Sequence, residues 1–325
     1  MLLLGKTAAN AGTIDTPSGQ ALLAAGDSFV IKRGQGTSGN LVSTTRGNEV
    51  TPAGTPGRVE NTGLIQAALG DVTLTGGDVA QRGVLLSSTS VDTRGTLHLT
   101  ATGAEGRVTV AENSTTAILL DRSGAQALDS QRDGLRVPPA AQSDAPLLAA
   151  GADRRELSRV EISSSGTVDF ASGSITLATG GQIAVQAAKR SLLREGAVLD
   201  VAGAVGVPVA MENNNLKINV QGNEQRDAPV NRESGKLNSK DVWVDVRDLV
   251  LVPAGTNGYA TDRWYTAGGL LEVSGYLGTQ GHGVNEWMAQ GGNVEFTGGD
   301  VVTRAGSQIN LSLIHISEPT RLRRI

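Results

Sequence analysis

Along most of its length the chain alternates apolar and polar residues in runs of three to five, each closed by a glycine-containing turn. In Val168-Asp169-Phe170, Ile175-Thr176-Leu177 and Ile183-Ala184-Val185 apolar residues flank a small or polar one. Alternate side chains of a strand face opposite sides, so each run predicts a strand with its apolar side buried. The short gaps between runs would suit hairpins, but the turns are Gly-Asp, Gly-Gly and Ser-Gly rather than the Asn-Gly or Asp-Gly of type I′ turns.

The alternation recurs. "GDVTLTGGDVAQRG" (Gly70 to Gly83) and "GNVEFTGGDVVTRAG" (Gly292 to Gly306) share G-x-V-x-(apolar)-T-G-G-D-V. Degenerate copies start at Ala11, Gly106, Ser165 and Glu195. Strand-turn-strand units recurring about every 20 residues predict an all-β parallel β-helix, a solenoid in which each rung buries its inner face against its neighbours. Gly77 and Gly299 are then corner residues where a Cβ would clash, not phosphate cradles, since no Gly-Lys-Ser/Thr follows them.

This pattern divides the chain. Rungs are expected over 1–120, 159–207 and 292–310. Between 121 and 158 alternation stops, charge and Ala rise, and Pro138-Pro139 breaks any long helix. That stretch reads as an excursion from the wall, with a short helical piece around Ala127 to Asp133. Residues 208–291 read as irregular rungs carrying a polar, Asn-rich loop (Met211 to Lys240) and an aromatic cluster.

Composition sharpens the picture. All 43 Gly precede residue 311 and the chain holds only three Trp, three Tyr and three Phe, so small and β-branched residues must fill the core. There is no Cys, which suits a chain exported unfolded through an oxidising compartment. No 18-residue apolar run exists, and "MLLLGKTAAN" is too short an apolar block for a secretory h-region.

The closing segment "LSLIHISEPTRLRRI" (Leu311 to Ile325) does not match its surroundings. A basic C-terminal helix or sorting tag would fit its composition. Its codons also fit the translated end of a transposase adapter used in sequencing libraries, and residues 311–325 are expected to be that artefact. Without its three Arg and one Glu, the chain carries 25 basic and 31 acidic side chains, a net of −6 rather than −4. An acidic balance without a clustered basic footprint argues against nucleic acid as a partner.

Candidate chemistry is sparse. Gly281-His282-Gly283 matches one short element of polygalacturonase-type hydrolases, but no Asp-Asp pair or Arg-Ile-Lys segment accompanies it. His282 therefore reads as a loop-tip residue. In "DVWVDVRD" Asp241 and Asp245 share one side of a strand, with Val242, Val244 and Val246 on the other and Asp248 out of phase. Paired carboxylates can cleave a glycosidic bond. The simpler reading is a solvated face with Arg247 as its neutralising partner. His98, alternating with Leu97 and Leu99, is expected on the outer face. No metal site or cofactor is implied.

All Trp and Tyr residues lie from Trp243 onward, ending at Trp287. Large side chains there either fill an uneven core or form a ligand surface, since exposed Trp and Tyr dominate interface hot spots. Trp243, with strand neighbours, is expected to be packed. Trp264, Tyr265, Tyr276 and Trp287 are the candidate ligand-binding residues.

The strings "NAGTIDTPSGQALLAAGDSFVI", "STTRGNEV", "DSQRD", "INVQGNE", "DVWVDVRDL" and "YTAGGLLEVSGYLGT" resemble the central region of filamentous haemagglutinin-family exoproteins, over nearly all of residues 5–310. The resemblance implies a right-handed parallel β-helix shaft and a secreted or cell-surface protein of a Gram-negative bacterium. It also implies export through an outer-membrane two-partner secretion transporter, by way of a domain absent here. The implied role is adhesion or cell-cell contact, with a host or bacterial surface glycan or protein as partner. The alternative is a β-helical carbohydrate-active enzyme, a polysaccharide lyase or hydrolase, although no complete catalytic set is present. Resequencing the locus across its 3′ end should replace everything after about Asn310 with further Gly/Val/Thr-rich repeats; recovering the same codons from genomic DNA would remove the adapter reading.

Overall fold

The computed structural model describes residues 1–33, 47–91, 93–128, 158–207, 215–220, 240–269, 271–277, 281–289 and 291–312. The chain divides into two compact units, Met1–Gln126 with Gly134–Val207 and Gly283–Ile316, and Ala127–Asp133 with Pro208–His282 and Ser317–Ile325.

The first unit is all-β and built of long parallel sheets. A three-strand repeat recurs, and each strand pairs in parallel with its equivalent in the next repeat. The first strands are Leu2–Gly5, Gln20–Arg33, Asp71–Gly76, Thr96–Ala101, Arg159–Ser164, Gln182–Leu193 and Asn293–Thr303. The second are Thr7–Asn10, Arg58–Asn61, Asp78–Gln81, Arg107–Val110 and Thr167–Phe170, followed by the later halves of Gln182–Leu193 and Asn293–Thr303. The third, Thr13–Asp15, Leu64–Ala67, Val84–Thr89, Thr115–Leu120, Ile175–Ala178, Val198–Asp200 and Gln308–Asn310, form a 7-stranded sheet, which numbers the repeats 1 to 7. The two clearest sequence copies occupy equivalent rungs: Val72 and Val294 lie in one ladder row, joined through Leu97, Val160 and Ile183.

Rows of like residues make the core. Val72, Leu97, Val160 and Ile183 are fully buried, as are Val59, Val79, Val108 and Val168 along the second strands. Each such side chain contributes about 1.5–3 kcal/mol by leaving water. Phe170 is the one aromatic residue buried among them. In Ile175–Ala178 the apolar phase departs from the sequence reading. Thr176 and Ala178 point inward, while Ile175 is 42% exposed. Thr116 and Leu199 lie beside Thr176 in register, so the neighbouring repeats set the inward row whatever the strand's own pattern.

Where the second strand turns into the third, an amide ladder runs through the first three repeats. Asn10 Nδ2 donates to Asn61 Oδ1 (2.8 Å), Asn61 Nδ2 to Gln81 Oε1 (2.8 Å), and Gln81 Nε2 to the Thr115 carbonyl (3.0 Å). All three amides are buried and each finds a partner, as burial requires. The signal is visible in the sequence as Asn-Ala-Gly, Asn-Thr-Gly and Gln-Arg-Gly just before the third strands of repeats 1 to 3.

The glycine of each triplet has its own reason. A Cβ on Gly63 would collide with the Gly12 carbonyl oxygen, and one on Gly83 with that of Gly63. The repeats stack backbone on backbone here, and only glycine permits the approach. Gly12 itself, at the head of the column, has nothing within 4 Å of its Cβ position.

The chain leaves the repeat at three places. Gln20–Arg33 runs past its parallel partners and pairs antiparallel with Asn48–Pro56, a hairpin where 1–120 was read as rungs throughout. A register shift between Gly26 and Ser28 marks where the strand leaves the parallel sheet for the hairpin. After Thr115–Leu120 a second departure begins. Gln126–Leu128 is a strand where a helical piece was expected, and 129–157 lies outside the described residues. The third departure follows Val198–Asp200, which pairs directly with Gln308–Asn310. Within 208–291 the described strands Asn215–Val220 and Lys240–Asp245 pair antiparallel, as do Val250–Val252 and Arg263–Tyr265, so they are hairpins of the second unit rather than rungs.

Gly83→Val should destabilise the protein by about 1–3 kcal/mol or more through overpacking against the Gly63 carbonyl, whereas Gly12→Val should leave thermal unfolding unchanged. Equal melting temperatures for the two variants would contradict the stacking column.

Candidate functional site

The second unit is built on the hairpin of Asn215–Val220 and Lys240–Asp245. Its inner face supplies Leu216 and Ile218, which with Val273 form a small core; Val242, Val244 and Val246 pack against it. The other face carries Asp241, Trp243 and Asp245, with Lys217 opposite Trp243 and Asn219 opposite Asp241. Trp243 is 66% exposed, the reverse of the packed position expected for it. Alternation places it on the side away from the valines, and that side is open.

The four expected binding residues are divided between the two units. Trp264 and Tyr276 pack against the Leu216–Ile218–Val273 core, and the Tyr276 hydroxyl donates to the Asn219 carbonyl (3.2 Å). Tyr265 is half-buried, its hydroxyl 3.0 Å from that of Tyr259. The Arg263 guanidinium lies 5.3 Å from the centre of the Tyr259 ring, a cation–π contact. Trp287 falls in the first unit, in the short helix Val284–Trp287 beside buried Val284, Met288 and Ala289. Packing thus claims Trp264 and Tyr276, while the large aromatic face offered to solvent is Trp243.

The carboxylates beside Trp243 are engaged. Asp241 accepts from Lys217 Nζ (2.8 Å) and Asn219 Nδ2 (2.7 Å), and these contacts hold its pKa below the ordinary carboxylate value. A general acid needs the opposite shift. Asp245 caps the turn that follows it, accepting from the Arg247 backbone N–H (3.0 Å) and bidentately from its guanidinium (2.9 and 2.6 Å). Arg247 is therefore the neutralising partner that the sequence offered. His282 lies in the three-residue strand Gly281–Gly283 and is half-buried, not at an exposed loop tip.

A second constellation lies on the outer side of the first sheet, where His98 was expected to meet solvent. His98 does point away from Leu97 and Leu99, but that side is covered and it is only 4% exposed. On the same side of the sheet the hairpin covers the preceding repeat: Val50 and Phe29 pack on Leu22 and Ala24, and Asn48 exchanges two hydrogen bonds with Gln20. The imidazole is clamped between carboxylates, Nδ1 2.9 Å from Glu161 Oε2 and Nε2 2.9 Å from Asp71 Oδ2. The second contact lacks the alignment of a hydrogen bond and acts as an ion pair. Asp71 also accepts from Thr73 (2.7 Å) and Thr96 (2.7 Å), and Arg159 Nε lies 2.6 Å from Glu161.

Burial alone would lower the His98 pKa, but the Asp71 charge and the contacts with Glu161 outweigh it and raise it to about 10. Burial likewise pushes Asp71 and Glu161 up, and the imidazolium beside each brings both below the ordinary range. At neutral pH the site is a charged Glu–His–Asp bridge. A histidine that stays protonated at neutral pH cannot accept a proton from a nucleophile, so this triplet ties rungs together rather than performing base chemistry. Among the described residues no group of three or more His, Cys, Asp or Glu is placed to hold a metal ion.

With the folded pKa raised above 6.5, the His98 contribution to stability is complete below about pH 6.5 and is lost as pH rises toward about 10. The carboxylate contributions run the other way, present above their ordinary values and lost as pH falls. Melting temperature should therefore decline from about pH 6.5 to 10, and the imidazole proton resonances of His98 should not titrate between about pH 5 and 8. His98→Gln, which strands two buried carboxylates, should cost about 3–5 kcal/mol at neutral pH and abolish the alkaline slope. A His98 resonance titrating near its ordinary value would refute the clamp.

No protein-family model matches the chain, and neither a curated protein nor a solved structure is significantly similar to it.

Proposed function

We propose that the chain is a segment of a right-handed parallel β-helix from a large secreted or cell-surface exoprotein, serving as an adhesive scaffold, with the Trp243 face of its second unit as a contact surface for a glycan. The observation that carries this reading is how the repeat treats its departures. Ala25 and Gly57 are rejoined by a backbone hydrogen bond (2.9 Å) across the hairpin. Leu97 pairs with Val160 across the second departure, and Ile183 with Val294 across the third. A core that resumes in register after each departure is a support on which the departing segments are carried. The sequence strings that resemble filamentous haemagglutinin-family exoproteins agree with it.

The indole of Trp243 supplies a flat apolar face for a sugar ring, and Asp241, Asn219 and Lys217 supply fixed hydrogen-bonding groups at its edge. The alternative of a polysaccharide lyase or hydrolase is weaker, because Asp241 is held ionised by its partners and Asp245 is committed to Arg247.

Binding to immobilised surface glycans should be saturable and without products. Trp243→Ala should weaken it by about 2 kcal/mol, roughly thirtyfold, with no change in unfolding, since little packing is lost. Trp264→Ala should instead unfold the second unit. Full binding by Trp243→Ala would exclude this face, and turnover abolished by Asp241→Asn or Asp245→Asn would favour the enzyme.

A further inference from the structure

The hydrogen-bonding groups on either side of Trp243 are not equivalent. At one end the Asp245 side chain is only 19% exposed and is held by the backbone N–H and guanidinium of Arg247. At the other the Asp241 side chain is 42% exposed. Lys217 Nζ and Asn219 Nδ2 take two of the roughly four acceptor positions that an ionised carboxylate offers. Asp241 can therefore still accept from solvent or from a ligand. The exposed Lys217 ammonium likewise has N–H donors beyond the one that Asp241 accepts.

The charges of this face cancel. Lys217 lies directly opposite Trp243 in the ladder, yet its ammonium reaches to Asp241 Oδ2 (2.8 Å), and Arg247 is spent on Asp245 Oδ2 (2.6 Å). A carboxylate or sulfate ester on a ligand could pair with either cation only by displacing its partner, which would leave a carboxylate of the protein unpaired beside a second anion. The negative face of the indole disfavours an anion as well. Hydroxyl groups meet no such penalty. One hydroxyl can donate to Asp241 and accept from Lys217 at once, and two adjacent hydroxyls match the two oxygens of one carboxylate.

We propose that the Trp243 face selects uncharged pyranose sugars over uronic acids and sulfated sugars. The apolar side of the ring lies on the indole, and a pair of adjacent hydroxyls is turned toward Asp241 and Lys217. This rests on the Trp243 face being a glycan surface and adds which glycans that surface accepts. Trp243 supplies contact area, and Asp241 is the specificity-determining residue.

The test is calorimetric titration of the full chain with neutral oligosaccharides of glucose, galactose and mannose, each set against the same sugar carrying a C6 carboxylate or a sulfate ester. The neutral member should bind about tenfold more tightly or better, because the charged one must break an ion pair. Its affinity should change by less than about twofold between about 50 and 500 mM salt, since no net charge is neutralised. Asp241→Asn removes the anion and releases Lys217. It should weaken the neutral sugar by about tenfold and bring the C6 carboxylate to equal or tighter binding, a reversal that lost structure could not produce. Lys217→Gln, which leaves Asp241 as an unpaired anion, should instead widen the preference for the neutral sugar. Trp243→Ala should weaken every member alike. Charged sugars bound as tightly as neutral ones through Trp243, or a neutral preference indifferent to Asp241→Asn, would overturn the selectivity and leave the glycan surface standing. Binding of none of the sugars would overturn both.

Discussion

The early repeats of the first unit depend on one close approach, that of successive backbones at the turn into the third strand, where Gly12, Gly63 and Gly83 stack before Ser114, Ser174, Ala197 and Ser307 take the same position in later repeats. Parallel ladders hold neighbouring strands at a fixed spacing, and a turn joining two ladders must bring carbonyl against Cα. At Gly63 and Gly83 no Cβ can be accommodated. That constraint fixes the register of these repeats, because a slip of one residue would put a side chain where none fits. The amide ladder of Asn10, Asn61 and Gln81 sits at the same turn and satisfies polar groups that the tight stacking removes from water.

A stack fixed in this way has a narrow interior. It is filled by Val, Leu, Ile and Ala in rows, with Phe170 as the one buried ring, and it leaves no room for the bulky cores of ordinary globular domains. Residues that fit no rung are moved outside. The hairpin of Gln20–Arg33 and Asn48–Pro56 leaves the wall yet folds back over the outer side of the first sheet. That cover turns part of the outer face into a second interior around Leu22 and Ala24, on the same side as buried Asp71 and His98. Buried charge of this kind adds little net stability over an apolar alternative, but it penalises any register in which Asp71, His98 and Glu161 do not meet.

The second unit follows other rules. Its hairpins are antiparallel, with one apolar and one polar face, and its aromatic residues are divided between the two. Trp264 and Tyr276 complete a core too small to close without them. Trp243 on the opposite face contributes little to that core, and its exposure is a cost that packing does not explain. The carboxylates around it are neutralised by Lys217 and Arg247, which leaves a face of balanced charge around an open ring.

The sequence by itself determined the strand type, the repeat and the kind of core, because alternation, glycine spacing and the scarcity of aromatic residues are local properties that any fold of this chain must respect. It also carried the unread signal of the Asn/Gln-x-Gly triplets. Tertiary structure alone decided which of a strand's two faces is covered. Ile175 points outward because Thr116 and Leu199 fix the row of Thr176, and His98 is buried between Asp71 and Glu161, carboxylates of the neighbouring repeats. Trp243 is exposed because its valine neighbours take the inner side of their hairpin. Alternation defines two faces, but only partners distant in the chain determine which of them meets water.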